Sequence, residues 1–177
     1  WSMACGGLPG EGMGQSDLYA QCGLREYRVD KALKRDFPAI YGSRNIADIE
    51  RIFLYLCYNS SNIINLQTMG KEMDGVSRTT IEKYIGYLES ASLIYVSPLV
   101  TLDAKKVLKN QNKIYIADAA MRNAVLMKDD ITNDPEELGL IAETAVYKHI
   151  KAFYYADAPT VGYYRGGGKG KEIDIVV

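Results

Sequence analysis

Residues Ser77–Val100, SRTTIEKYIGYLESASLIYVSPLV, change their period halfway along, and that change decides the type of fold. In the first part Ile81, Ile85 and Leu88 recur at helical spacing with Tyr84 beside them, and Ser77 is placed to cap the helix start. From Leu93 to Val100 the run LIYVSPLV reads as a strand. Upstream, Asn45–Tyr58 (NIADIERIFLYLCY) puts Ile46, Ile49, Ile52, Phe53 and Leu56 on one helical face, with acids in the early turns where the helix dipole favours them. Asn65–Met73 reads as a shorter helix closed by Asp74-Gly75. Downstream, Lys113–Ala117 (KIYIA) reads as a second strand, reached through a loop carrying Lys105, Lys106 and Lys109. Three helices on short turns followed by two strands predict a winged helix over residues 44–118 within an α+β chain.

The C-terminal part has a different character. In GLIAETAVYKHI, Glu143 lies on or beside a helical stripe made by Val146, Tyr147, Ile150 and Tyr154. In the final strand, KEIDIVV, alternation sets Ile173, Ile175 and Val177 on one face and Glu172 and Asp174 on the other. The glycines from Gly166 to Gly170 make the turn of a hairpin that starts at Gly162-Tyr-Tyr-Arg165. Side-by-side acids repel unless a cation lies between them, which can be a divalent metal or a side chain such as Arg165.

A helix Glu followed by a strand Asp resembles the opening of the restriction-endonuclease-like (PD-(D/E)xK) fold. The resemblance implies that Glu143, Asp174 and Glu172 are the catalytic acids of an incomplete site and that Glu143 and Asp174 are metal ligands. It also implies that the acid-x-Lys strand completing the site lies beyond Val177. With VSRTTIEKYIGYLESASLIY and NKIYIADAAMRNAV before it, the whole order of motifs resembles the C-terminal half of a prokaryotic family of AAA-type ATPases. In that family a P-loop ATPase domain is followed by a winged helix and an endonuclease-like domain of unknown function. Lys113, Tyr115 and Asp118 match the family's Lys-x-Tyr-x-x-Asp, Gly139 and Glu143 its Gly-x-x-x-Glu, Glu172 and Asp174 its Glu-x-Asp. Lys34-Arg35-Asp36 and Gly6-Gly7-Leu8-Pro9 resemble its linker steps. The expected organisation is a linker and helical segment at 1–43, the winged helix at 44–118 and a truncated endonuclease-like domain at 119–177. Because the chain opens on Trp1, a missing N-terminal ATPase is expected. ATP and Mg belong to that domain, since GEGMGQSD lacks the Lys of a phosphate-binding loop.

Composition narrows the alternatives. With 21 basic and 22 acidic residues the net charge is -1, which excludes a strongly basic nucleic-acid binder. DNA contact is then a local matter, assigned to Arg78 and Lys83 on the exposed side of the third helix and to Lys105, Lys106, Lys109 and Lys113 on the wing. A protein partner, or a winged-helix transcription regulator, are the competing readings. No run approaches the roughly 20 apolar residues of a membrane span, and a cytoplasmic protein is expected. Cys5, Cys22 and Cys57 lack metal-type spacing and read as free thiols. His149, six residues past Glu143, points away from it on a helix. Among fourteen tyrosines, Tyr55, Tyr58, Tyr84, Tyr87, Tyr95 and Tyr115 are expected at the rims of packed surfaces.

Overall fold

The computed structural model describes residues 23, 25–42, 46–73, 75–100, 108–128, 133–157, 159–166 and 172–177. The chain is α+β: seven helical segments and a five-stranded sheet are formed by the described residues. A π-helical segment, α1 (Arg25–Asp36), runs into α2 (Phe37–Tyr41). Then come α3 (Ile46–Tyr58), β1 (Ile63–Ile64), α4 (Leu66–Glu72), α5 (Arg78–Ser90), β2 (Ile94–Leu99) and β3 (Leu108–Ile116). The chain continues through α6 (Ala119–Leu126), α7 (Pro135–Phe153), β4 (Gly162–Arg165) and β5 (Glu172–Val176).

The local signals act as their chemistry requires. Asn65 caps α4 by accepting from the Gln67 and Thr68 amides, and Ser77 caps α5 through the Thr80 amide. At the end of α5 the Leu93 amide returns to the Leu88 carbonyl at 2.9 Å, while Ser92 takes a left-handed φ of 56°. That turn converts the helix directly into β2.

Strands β2 and β3 pair antiparallel, with Tyr95 opposite Tyr115 and Ser97 opposite Lys113. The sheet order is β1-β3-β2-β4-β5, and β2 meets β4 in parallel at Leu99 and Tyr163. One face, with Ile94, Ile114 and Ile116, closes the main core against α1, α3, α4 and α5. Phe37 lies at its centre, with ring contacts to Tyr41, Tyr84 and Tyr87, and the Tyr87 hydroxyl donates to the Ala32 carbonyl at 2.9 Å. The other face, with Tyr95 and Tyr115, is covered by α7 and by the β4–β5 hairpin. Tyr115 stacks on Tyr147 of α7 at 4.3 Å between ring centroids. Residues 113–117 are therefore buried on both sides of the sheet.

This corrects the reading of the tyrosines. Tyr84, Tyr87 and Tyr115 are buried inside rather than at rims, whereas Tyr58 is exposed as expected and Tyr55 and Tyr95 are half-buried. Two of the buried phenols, Tyr87 and Tyr115, have hydrogen-bond acceptors within the fold, so burial costs them little. Two elements had no counterpart in the hydrophobic pattern: β1, a two-residue bridge to β3, and α6, whose inward face includes the buried Arg122.

The start of α7 is fixed to α6 by charge. Asp134 caps α7, and Glu137 in its first turn accepts from the Arg122 guanidinium at 2.5 and 3.3 Å and from Lys128. Arg122 is buried and also donates to the Cys57 carbonyl at 2.8 Å, linking α3, α6 and α7. Hydrogen bonding to Arg122 holds the Glu137 carboxyl below its ordinary value of 4.5, against the opposing effect of burial and with help from Lys128. A folded-state pKa that is depressed gives stability present above the unfolded value and lost as pH falls through the folded one. Thermal melts between pH 7 and 3 should therefore show a melting temperature that drops below about pH 4.5. Glu137→Gln should melt lower than the native chain at pH 7 and lose part of that acid-dependent fall.

At the join between β2 and β4 no side chain fits. A Cβ on Gly162 would lie 2.5 Å from the Pro98 carbonyl oxygen and 2.6 Å from Val100 Cγ1. Gly162→Ala should lower stability in urea titration by about 1–3 kcal/mol, the usual range for overpacking, because β2 backbone must move.

Candidate functional site

The acids predicted from sequence do come together, and the cation between them is a lysine from β3. Lys113 is 5 % exposed, and its ammonium lies 2.5 Å from Asp174 Oδ1, 2.8 Å from Glu172 Oε1 and 3.6 Å from Glu143 Oε1. Its nitrogen is also 5.6 Å from the centroid of the Tyr163 ring. The sheet curls enough for β5, at its far edge, to return over β3. Tyr163 on β4 donates to the Gln111 carbonyl at 3.1 Å, and the Tyr115 hydroxyl lies 3.4 Å from the Asp174 carbonyl.

Tyr115 completes the arrangement. Two residues from Lys113 on the same strand face, it donates to Glu143 Oε1 at 2.8 Å. Burial, followed by the hydrogen bond and charge of Glu143, pushes its phenol far above the ordinary range, so it remains a donor at any working pH. Burial also opposes the charge on Lys113. Hydrogen bonds to Asp174 and Glu172 and the charge of Glu143 outweigh it, and the ammonium titrates higher than a free lysine. Arg165 adds a weaker contact, 3.9 Å from Glu172 Oε2.

A divalent metal at Glu143 and Asp174 would have to share or displace this ammonium. Among the described residues no group of three Asp, Glu, His or Cys side chains converges in a way that could hold a metal ion. Three carboxylates around one ammonium leave the cluster net negative, with Arg165 the next cation at 3.9 Å from Glu172. Lys113 is also removed from the wing lysines of the sequence reading. Buried beneath α7 and β5, it cannot reach a phosphate.

The remaining predicted positions are dispersed. Arg78 pairs with Glu82 at 2.9 Å, and Lys83 lies 4.3 Å above the Tyr41 ring, so both α5 bases are engaged within the fold. Lys105 and Lys106 lie outside the described residues, and for Lys109 the description extends only to its backbone in β3. Asp118 caps α6 through the Ala120 amide and pairs with Lys148 at 2.7 Å. His149 is exposed, its Nδ1 2.7 Å from the Ala145 carbonyl of its own helix and away from the acids. Cys57 is a buried free thiol that desolvation pushes up to about 12, which removes it as a nucleophile; Cys5 and Cys22 lie outside the described residues. Among the described residues no helix is long and apolar enough to cross a membrane.

Sequence reasoning missed Lys113 as the centre of the cluster. The signal was present in KIYIA, where alternation sets Lys113 and Tyr115 opposite Ile114 and Ile116. Removing a buried charge's partners costs several kcal/mol, less where some partners are wet, as Asp174 is here. Lys113→Met should therefore cost about 2–4 kcal/mol in urea unfolding and raise amide exchange in β5. A loss under about 0.5 kcal/mol, the range of an ordinary surface change, would contradict the role assigned to the ammonium.

Residues 4–132 match the family described as a domain of unknown function, DUF8612. The matched span includes Lys113, Tyr115, Asp118 and Arg122 and ends before α7, so Glu143, Glu172 and Asp174 lie outside it. No curated protein and no solved structure matches the chain. A match over more than half of the sequence, taking in α1 to α6, makes this chain a member of the DUF8612 family.

Proposed function

We propose that the chain is a connecting and docking module of a larger cytoplasmic, ATP-driven protein of the AAA type that its sequence resembles. In this reading α3, α4 and α5 with strands β2 and β3 serve as a winged-helix platform, and the chain has no ATP site of its own. The carboxylates of the nuclease-like part tie α7 and the β4–β5 hairpin to that platform. The observation that carries the reading is the burial of the Lys113 ammonium among Glu143, Glu172 and Asp174. Three acids whose shared cation is a lysine from the platform act as a clamp, because separating α7 or β5 from β3 would take carboxylate partners from a buried ammonium.

The engaged bases of α5 point the same way. Arg78 held by Glu82 and Lys83 held over Tyr41 leave that helix a weak electrostatic footprint for reading a duplex. A platform that packs α1, α2 and α5 into one core with the sheet suits transmission of force or position between neighbouring parts.

Two assays test this. Incubated with Mg²⁺ or Mn²⁺ and labelled single- or double-stranded DNA, the purified protein should leave the DNA intact. Metal-dependent cleavage abolished by Glu143→Gln or Asp174→Asn would sink the clamp reading in favour of phosphodiester hydrolysis. Duplex DNA binding by the wing is checked separately with Lys105→Glu plus Lys106→Glu. The connector reading expects no change, and a salt-sensitive loss of duplex binding would favour DNA docking.

A further inference from the structure

At the C-terminal end of α7 the described surface carries bare aromatic rings beside two lysines. A hollow of about 530 Å³ is lined by Tyr95, Tyr154, Tyr155, Lys148, Lys151 and Val161, among others, and among the described residues no acid lines it. Tyr155 is 83 % exposed and the adjoining Phe153 80 %, a concentration of bare aromatic surface that a folded chain ordinarily covers or uses. Lys148, Lys151 and Ala152 at i, i+3 and i+4 share one helical face that leads into the hollow, and Tyr154 and Tyr155 line it from the helix C-cap and the turn after it.

We infer that this hollow binds single-stranded nucleic acid, with bases stacked on Tyr154 and Tyr155 and phosphates held by Lys151 and Lys148. The aromatic rings supply faces on which any base can stack, and the lysines supply charge for the backbone between bases. Charge complementarity selects an anionic occupant over a purely apolar one, and the exposed aromatic rings select one with flat faces to stack. Lys151, in the last turn of α7, already offsets the helix dipole and is exposed, while Lys148 is shared with Asp118 at 2.7 Å. Asp157 stands on the turn beyond the helix, outside the lining. A duplex is a poorer fit, because its bases are already stacked and present no free faces to Tyr154 and Tyr155. The inference does not depend on the connector reading, since it uses neither the wing nor the Lys113 cluster.

The test is fluorescence anisotropy of a labelled 15-mer of deoxythymidine against the full chain. Two phosphate contacts predict a log–log salt slope near -1.4 for a single strand, at about -0.7 per contact. Tyr155→Ala should weaken binding roughly 5- to 150-fold, the range for losing one stacked base, while Tyr155→Phe stays close to the native chain. Lys151→Glu should weaken binding and flatten the salt slope, and Tyr58→Ala, an exposed tyrosine on α3, should change nothing. Absence of salt-sensitive binding would overturn the inference. So would an unchanged Tyr155→Ala, or equal binding of a duplex or of polyglutamate as competitor. All these positions are exposed, and unchanged circular dichroism confirms that each variant folds.

Discussion

An ammonium that is taken out of water must be surrounded by negative charge, and in this protein that requirement draws three carboxylates from two separate elements onto one strand. Lys113 is committed to the buried side of β3 by the alternation that sends Ile114 and Ile116 into the main core. Once there, it needs carboxylates, and Glu143 from α7 with Glu172 and Asp174 from β5 provide them. Tyr115, two residues on, uses its hydroxyl to hold Glu143 and its ring to stack on Tyr147. The second layer of the fold is therefore both greasy and ionic. Its apolar part is the small cluster of Tyr115, Tyr147 and Val161, and its polar part fixes the angle at which the hairpin returns.

The two faces of the β2–β3 pair divide the labour. One face completes a core of aliphatic and aromatic residues, stabilised chiefly by burial of apolar area. The other face has polar groups in the middle of it, and burying the Lys113 ammonium and the Tyr115 hydroxyl is favourable because each finds a partner. Arg122 repeats the pattern on a smaller scale, since a buried guanidinium joins the Cys57 carbonyl to Glu137 at the start of α7. Helix α7 is thus held at its start by Glu137 and along its length by Glu143 and Tyr147. Its far end is left as the exposed aromatic and basic surface.

The chain's membership of the DUF8612 family covers the first layer and the basic half of the second. Lys113, Tyr115 and Arg122 lie within the matched span; the acids that answer Lys113 lie after it. Within the matched span of this chain, Lys113 faces away from the main core and must be covered by something outside that span. In this chain α7 and the hairpin do so.

Much of the fold was legible in the residues themselves. Period and capping settled α3, α4, α5 and β2, because the spacing of Ile49, Ile52, Phe53 and Leu56 and the hydroxyl of Ser77 act over a few residues. The pairing of Glu143 with Glu172 and Asp174 was also legible as a demand for a cation, since like charges cannot share a face unaided. What supplied the cation was not, because Lys113 lies 61 residues from Asp174 along the chain and is brought to it by the curl of the sheet. Nor could a one-residue alternation say which face of β3 would be covered by a second layer, so Lys113 was grouped with the wing lysines and Tyr115 with the rim tyrosines. Sequence alone determined α3, α4, α5, β2 and β3 and the charges they carry, because those depend on neighbours a turn or a strand pair away. Tertiary structure alone decided which charges meet, because that depends on where β5 lands after the chain has closed on itself.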